Sequence, residues 1–418
     1  MMKIPFFLLA LFFFTGALQA QDTTQQIVPG RFNRPDQFKK PYVILISADG
    51  FRYDLADKYH ATNLLRLRKE GVEAAYLQSS FPSLTFPNHY TLVTGLYPAH
   101  HGLVDNSFYD PAKDASYSIG NKRTVQDSSW YGGTPLWVLA EKQGMLSASF
   151  YWVGSEAAIQ GVRPTYYYKF NTKISMDSRI RVVHDWLSLP EERRPHFITF
   201  YIADVDHQEH LHGVSSPETA KAVAYVDESI GKLVNSVDSL HLPVDFIFLS
   251  DHGMLNIDTV NYIGIPPSLD TTQFRISNSL ALAHLYARDQ KDILATEIAI
   301  KSQATDYDVY LSDELPVVWH YSKADDVYNR IGDIILVSHP PMVFNFRKHR
   351  LNPGEHGFDP LLTEMHACFY AWGPDFKQHL RIPGFENIHV FPLIARILKL
   401  PYRDKIDGRL RVLKGVLR

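Results

Sequence analysis

Four short segments concentrate side chains that could hold metal. Asp206-His207-Gln208-Glu209-His210 sets an aspartate and a histidine four residues apart, one turn of a helix. Asp251-His252-Gly253 sets the two side by side, and Glu355-His356-Gly357 adds another histidine. Asp49, in Ser47-Ala48-Asp49-Gly50, completes a pool of three aspartates and three histidines. That pool suits two borderline-soft divalent ions in nitrogen and oxygen coordination, zinc foremost. A lone Asp–His pair is more often a cap or a hydrogen-bonding arrangement; the joint occurrence carries the inference. The single cysteine, Cys368, excludes a multi-cysteine metal site and an intramolecular disulfide.

A fifth segment supplies a hydroxyl. In the run from Phe81 to Gly95, Thr85 fits a helix N-cap, Pro87 is tolerated in the first turn, and Gly95 suits the residue after the last turn. The bland reading is a well-capped helix. The chemical reading puts the Thr85 oxygen at the positive end of a helix dipole, favourable for an alkoxide and a phosphate. Free threonine is a poor nucleophile, and metal coordination is one way to activate it.

The elements that must position these groups are legible as apolar runs. Tyr42-Val43-Ile44-Leu45-Ile46 leads into Asp49, Phe197–Ile202 into Asp206, and Val244–Leu249 into Asp251. Runs this continuous imply strands buried on both faces of a parallel sheet. Ser216-Pro217-Glu218 opens a helix whose Val223, Val226, Ile230, Leu233 and Val237 share one face. Strand–helix alternation predicts an α/β doubly wound fold, in which ligands bind beyond the C-terminal strand ends. The pattern shortens between about residues 256 and 343, which predicts an inserted smaller α/β lobe.

With 418 residues, 45% hydrophobic and 21% charged, the chain is globular rather than disordered. A net charge of −3 offers no electrostatic reason to expect a nucleic-acid polymer as partner. Residues 1–20 read as a signal peptide: Lys3, an apolar run through Phe14, then Ala17-Leu18-Gln19-Ala20 for cleavage. The run is shorter than the ~20 residues that a membrane span needs, so a stable anchor is not expected. The mature protein is therefore expected outside the cytoplasm, periplasmic or secreted. Residues 21–40 read as a flexible lead-in, and 41–418 as one catalytic domain.

Taken together these segments resemble the nucleotide pyrophosphatase/phosphodiesterase family of the alkaline phosphatase superfamily, in its compact bacterial form. Further matching segments are Pro98–Asn106, Tyr151-Trp152-Val153-Gly154-Ser155-Glu156 and Gly373-Pro374. The resemblance implies an alkaline-phosphatase-like fold and two zinc ions per chain. It implies one zinc on Asp49, Asp251, His252 and the Thr85 oxygen, the other on Asp206, His210 and His356. It further implies Thr85 as the nucleophile that becomes a phospho-threonine. Asn106, with a backbone N–H at the start of the Thr85 helix, would bind a phosphoryl oxygen. Phe86 and Tyr201 would sandwich a nucleobase, although Tyr201 reads equally well as a core residue of its strand. Tyr166, Tyr167, Tyr168 and Phe170 receive no role; His89, His100 and His212 are expected to be structural.

The leading expectation is a secreted hydrolase of nucleotide phosphodiester and pyrophosphate bonds, releasing nucleoside monophosphates. Phosphocholine lipids or phosphonates are the alternative substrates. A non-catalytic nucleotide-binding ecto-domain is the alternative class, disfavoured because no ligand and no nucleophile is missing.

Overall fold

The computed structural model describes residues 23–418; the segment read as a signal peptide lies outside them. Five segments form parallel strands: β1 Tyr42–Ala48, β2 Ser147–Phe150, β3 Tyr166–Tyr168, β4 Phe197–Ile202 and β5 Val244–Leu249. They lie in the order β3-β2-β4-β1-β5, every neighbouring pair parallel. Every residue of β1 and β5 is buried, because helices cover both faces. Along β1, Val43 and Leu45 pack into one apolar cluster while Ile44 and Ile46 pack into another. Helix α1 (Thr85–Thr94) lies in the first cluster; α2 (Met176–Leu187) and α4 (Pro217–Asp238) lie in the second. Between β4 and α4 runs the short helix α3, Asp204–His212. The protein is thus an α/β doubly wound domain.

Ser216 caps α4 by accepting the Thr219 N–H, and Val223, Val226, Ile230, Leu233 and Val237 are all buried. Antiparallel strands flank these five on both sides, and Leu380–Ile382 closes one edge parallel to Val72–Ala74. Phe369–Trp372 pairs with β5, and Gln26–Ile27 pairs with Tyr166 and Tyr167 at the opposite edge. That second pairing corrects the flexible lead-in. Asn33 and Gln37 are buried, and Asn33 donates to the carbonyls of Glu191 and Arg194 while accepting the Leu146 N–H. Most of the segment is exposed, but the Asn33 and Gln37 amides are buried and satisfy neighbouring loop backbone.

Four strands form a second, antiparallel sheet: β6 Phe274–Asn278, β7 Leu282–Ala287, β8 Tyr307–Leu311 and β9 Ile334–Ser338, ordered β6-β7-β9-β8. This lobe has a core of its own, including Phe274, Leu285, Leu336 and Phe344. No helix among the described residues is long and apolar enough to cross a membrane.

Candidate active site

Three adjacent strands of the main sheet, β4, β1 and β5, end on the same side and deliver the acidic residues. Asp49 follows β1 directly, Asp251 and His252 follow β5, and Asp206 and His210 ride on α3 just beyond β4. Gly50 lets two of these ends meet. Its φ is +69°, and a Cβ there would sit 2.9 Å from the Asp206 Cα. The Asp206 N–H donates to the Asp49 carbonyl at 3.1 Å, a contact that a side chain at position 50 would disrupt. His356 arrives from the segment after the lobe, where Gly354–Glu355 pairs with Leu255–Asn256.

The six side chains assemble as two adjoining half-sites. In one, His252 Nε2 lies 3.0 Å from Asp251 Oδ2 and 3.4 Å from Asp49 Oδ1. In the other, His210 Nε2 and His356 Nε2 lie 3.4 and 3.8 Å from Asp206 Oδ1. Asp49, Asp206 and His252 also converge, so the halves share a boundary.

Each histidine is aimed by its outer nitrogen. Nδ1 of His210, His252 and His356 donates to the carbonyls of Gly354, Gly253 and Ser83 at 2.8, 2.9 and 2.9 Å. A carbonyl only accepts, so each Nδ1 carries the proton and each Nε2 presents a lone pair inward. The carboxylates behave alike. Asp49 Oδ2 accepts the Tyr201 hydroxyl at 2.5 Å, and Asp251 Oδ1 accepts the Ser250 hydroxyl at 3.1 Å. Asp49 Oδ1, Asp206 Oδ1 and Asp251 Oδ2 are buried with no hydrogen-bond partner. Such oxygens facing three imidazole lone pairs fit a divalent metal.

The electrostatics point the same way. Burial, then the charges of Asp251 and Asp206, push Asp49 well above the usual carboxylate range. Burial alone would raise Asp251, but His252 and His89 outweigh it and hold that carboxyl well below the usual range. Burial would lower His252, yet Asp251, Asp49 and Asp206 push it up to about 10. Without a cation the cluster must retain protons to be tolerated.

His89 also lies 3.1 Å from Asp251 Oδ2. Its Nδ1 donates instead to the Thr85 carbonyl at 3.0 Å, and its Nε2 meets the Ser47 hydroxyl at 2.9 Å. Both its nitrogens thus have protein neighbours, and it also converges with Asp49 and Asp251. His100 bonds Asp407 at 2.7 Å, and His212 is exposed at the end of α3.

Thr85 is the first residue of α1, and Leu84 occupies the cap position. The expected N-cap role is therefore corrected by one residue. The difference matters, because the Thr85 hydroxyl is not consumed by capping and stands 3.2 Å from His252 Nε2. Beside it, Asn106 Oδ1 accepts the Phe86 N–H at 2.9 Å. That bond fixes the amide orientation, leaving the Asn106 Nδ2 hydrogens as donors.

From Thr85 a cavity of about 520 Å³ opens between Phe86, Tyr151, Trp152, Phe170 and Tyr201, with Lys122, Gln126 and Glu156 among its polar wall. Phe86 and Tyr201 line the same space. Tyr201 is held at both ends: its hydroxyl on Asp49, its carbonyl on the Arg179 guanidinium, which stacks 4.9 Å from Phe200 and 5.1 Å from Tyr151. Of the aromatic run, Tyr166 and Tyr168 belong to the sheet core, and only Phe170 lines the cavity, 5.2 Å from Tyr151 and 6.1 Å from Tyr201. Tyr151, Trp152 and Glu156 have no role in the sequence reading. Their position just past the end of β2 is the signal that could have found them.

Residues 43–359 match the family model described as type I phosphodiesterase/nucleotide pyrophosphatase. The chain belongs to that family. The matched stretch contains every residue of both half-sites. Human ectonucleotide pyrophosphatase/phosphodiesterase family member 1 is 34% identical over 390 residues, covering 88% of this chain and 41% of the relative. Venom phosphodiesterase 2 of Crotalus adamanteus is 33% identical over 387 residues, covering 88% and 46%. The chain thus spans under half the length of these relatives. Among solved structures, murine ectonucleotide pyrophosphatase/phosphodiesterase 5 superposes with a TM-score of 0.84 at 27% identity, covering 90% of this chain and all of that one. The same murine protein has been solved as an inactive threonine-to-alanine variant in complex with AMP.

Proposed function

We propose that this chain is an extracytoplasmic, two-zinc phosphodiesterase that hydrolyses nucleotide phosphodiester and pyrophosphate bonds to nucleoside monophosphates. The observation that carries it is the convergence of three orphaned carboxylate oxygens and three inward Nε2 lone pairs beside the uncapped Thr85 hydroxyl. Asp49, Asp251, His252 and Thr85 would hold one ion, and Asp206, His210 and His356 the other. When bound, such ions favour an alkoxide at a coordinated hydroxyl and neutralise charge on a departing oxygen.

Thr85 Oγ1 attacks phosphorus, the bond to the leaving oxygen breaks, and a phospho-threonine forms. Water then displaces Thr85 in a second in-line step, so configuration at phosphorus is retained overall. Asn106 Nδ2 donates to a non-bridging phosphoryl oxygen. The sequence reading adds a backbone N–H at the start of α1, and here the Phe86 N–H is held by Asn106 Oδ1. That N–H is spent on the amide, so its part is to orient Asn106, and Nδ2 is the group that meets the phosphoryl oxygen. Phe86 and Tyr201 bracket the base, a contact of about 1–3 kcal/mol that tolerates any base. The AMP seen in the murine relative is a product of the kind this pocket would release.

A panel of nucleotide esters, nucleoside triphosphates, phosphocholine esters and phosphonates, assayed with and without chelator, tests the reading. Nucleotide substrates should turn over fastest and chelator should abolish it. Preference for phosphocholine or phosphonate would move the substrate assignment. Activity indifferent to chelator would remove the metal assignment.

A further inference from the structure

The lobe reaches back into the catalytic domain at several places, through Trp319 on Phe81 and Arg330 on Asp110 among others, and one of them flanks Asn106. Ser279, in the turn between β6 and β7, donates its hydroxyl to Asp105 Oδ2 at 2.7 Å. His284 on β7 brings Nε2 to the same oxygen at 3.1 Å, while its Nδ1 faces the Ile331 carbonyl at 2.7 Å. The ring thus spans the Ile331 carbonyl and the Asp105 carboxylate, one at each nitrogen. Asp105 Oδ1 accepts the Ser107 N–H at 2.9 Å, closing a turn with Asn106 at its centre. On the far side, Ser277 donates to the Ser107 carbonyl at 2.6 Å, and the Tyr286 hydroxyl accepts the Tyr109 N–H at 3.2 Å. Asp105 and His284 are fully buried, so water cannot replace these bonds.

We propose that the lobe is part of the catalytic apparatus: Ser279 and His284 clamp Asp105, and through that turn they position the Asn106 amide over the first turn of α1. They are positioning residues, since neither lines the cavity beside Thr85. A buried carboxylate is expensive unless its oxygens are hydrogen-bonded, and here the lobe supplies both partners of Oδ2. Without them the 105–107 turn loses the partners of Asp105 Oδ2, and Asn106 keeps one side-chain bond, to the Phe86 N–H, besides the bond of its carbonyl to the Ile119 N–H. The proposal rests on the reading of Asn106 as the phosphoryl donor.

The test is a double-mutant cycle in the full chain, with kcat, KM and melting temperature measured on a nucleotide ester and on a base-free aryl ester. His284→Leu removes both ring contacts, and Ser279→Ala is the milder second variant should the first fold poorly. Each is made alone and combined with Asn106→Ala. In the wild-type background we expect kcat to fall about tenfold on both esters with little change in KM, as small misplacements of a catalytic donor do. In the Asn106→Ala background the same substitutions should add less than about twofold, because their effect runs through the missing amide. Equal losses in both backgrounds, or no loss in kcat from either variant, would overturn the proposal. An unaffected Asn106→Ala enzyme would instead refute the donor role of Asn106, so the two failures are separable.

Discussion

The two half-sites use the same ligand chemistry but are built differently. Asp49, Asp251 and His252 have side chains only 0–2% exposed and stand directly on the ends of β1 and β5, the middle of the sheet. Asp206 and His210 are 19% and 27% exposed and ride on α3, and only His356, at 5%, is nearly enclosed. The inner half is an extension of the core, with Tyr201, Ser250 and the Thr85 hydroxyl locking its orientation. The outer half is an edge, pinned chiefly through backbone carbonyls to His210 and His356. The difference implies a division of labour: nucleophile and rigidity inside, access for the leaving group and solvent outside.

The strongest way to break that division is at Thr85. Thr85→Ala should lower turnover by about four orders of magnitude or more, as nucleophile deletions do, while the other ligands of both halves still hold metal. Single-turnover rates and metal content on the same preparation check it, and residual turnover near wild type would show the nucleophile to lie elsewhere.

Metal removal probes the asymmetry next. Stepwise chelation should release two ions in two phases, the first without loss of the inner one, followed by metal analysis at each step. Full removal leaves the inner carboxylates facing one another, so the melting temperature should fall with activity. Ligation of a native-only site at ~1,000 times its Kd stabilises by about 4 kcal/mol, enough to shift a melt by several degrees. A single release phase would mean that the halves are energetically equivalent.

Tyr201 sharpens the comparison because it belongs to both the base pocket and the inner half. Tyr201→Phe keeps the ring but removes the hydroxyl on Asp49. It should weaken retention of the inner ion, shifting only the second phase of release, and slow both nucleotide and base-free esters several-fold. Tyr201→Ala should add a further loss on nucleotides alone. Identical behaviour of the two variants would deny the hydroxyl or the ring its separate role.

Phe86→Ala should have the smallest effect. It touches no ligand through its side chain, so the expected loss is about 1–3 kcal/mol on nucleotide esters, roughly five- to a hundredfold in kcat/KM. The base-free ester should be nearly unaffected. Equal losses on both would leave the stacking role of Phe86 without support.

How much of this was legible beforehand differs by element. The continuous apolar runs before Asp49, Asp206 and Asp251 announced buried parallel strands, because such strands have no polar face to interrupt them. The acid–histidine pairs at their ends were visible as ligand candidates for the same reason: parallel sheets place their strand ends together. Ser216-Pro217-Glu218 marked the start of α4 through capping chemistry that acts within a few residues. The anchoring of residues 23–40 escaped the sequence because composition cannot distinguish polar side chains facing water from the few that satisfy distant backbone, as Asn33 does.

By itself, then, the sequence indicated what local spacing governs: three of the five parallel strands, the helix opened by Ser216, the six candidate ligands, and the Thr85 segment to within one residue; Ser147–Phe150 and Tyr166–Tyr168 were not read as strands. Only the tertiary structure decided which nitrogen of each histidine faces inward, since Gly354, Gly253 and Ser83 are contributed by other segments or by a carbonyl whose direction the fold sets. It alone joined Tyr201 to Asp49 across 152 positions and His284 to Asp105 across 179. Hydrogen bonds of that kind depend on ångström-scale approach between residues remote in the chain. No periodicity or composition encodes them; they exist only once the sheet, its helices and the lobe have packed.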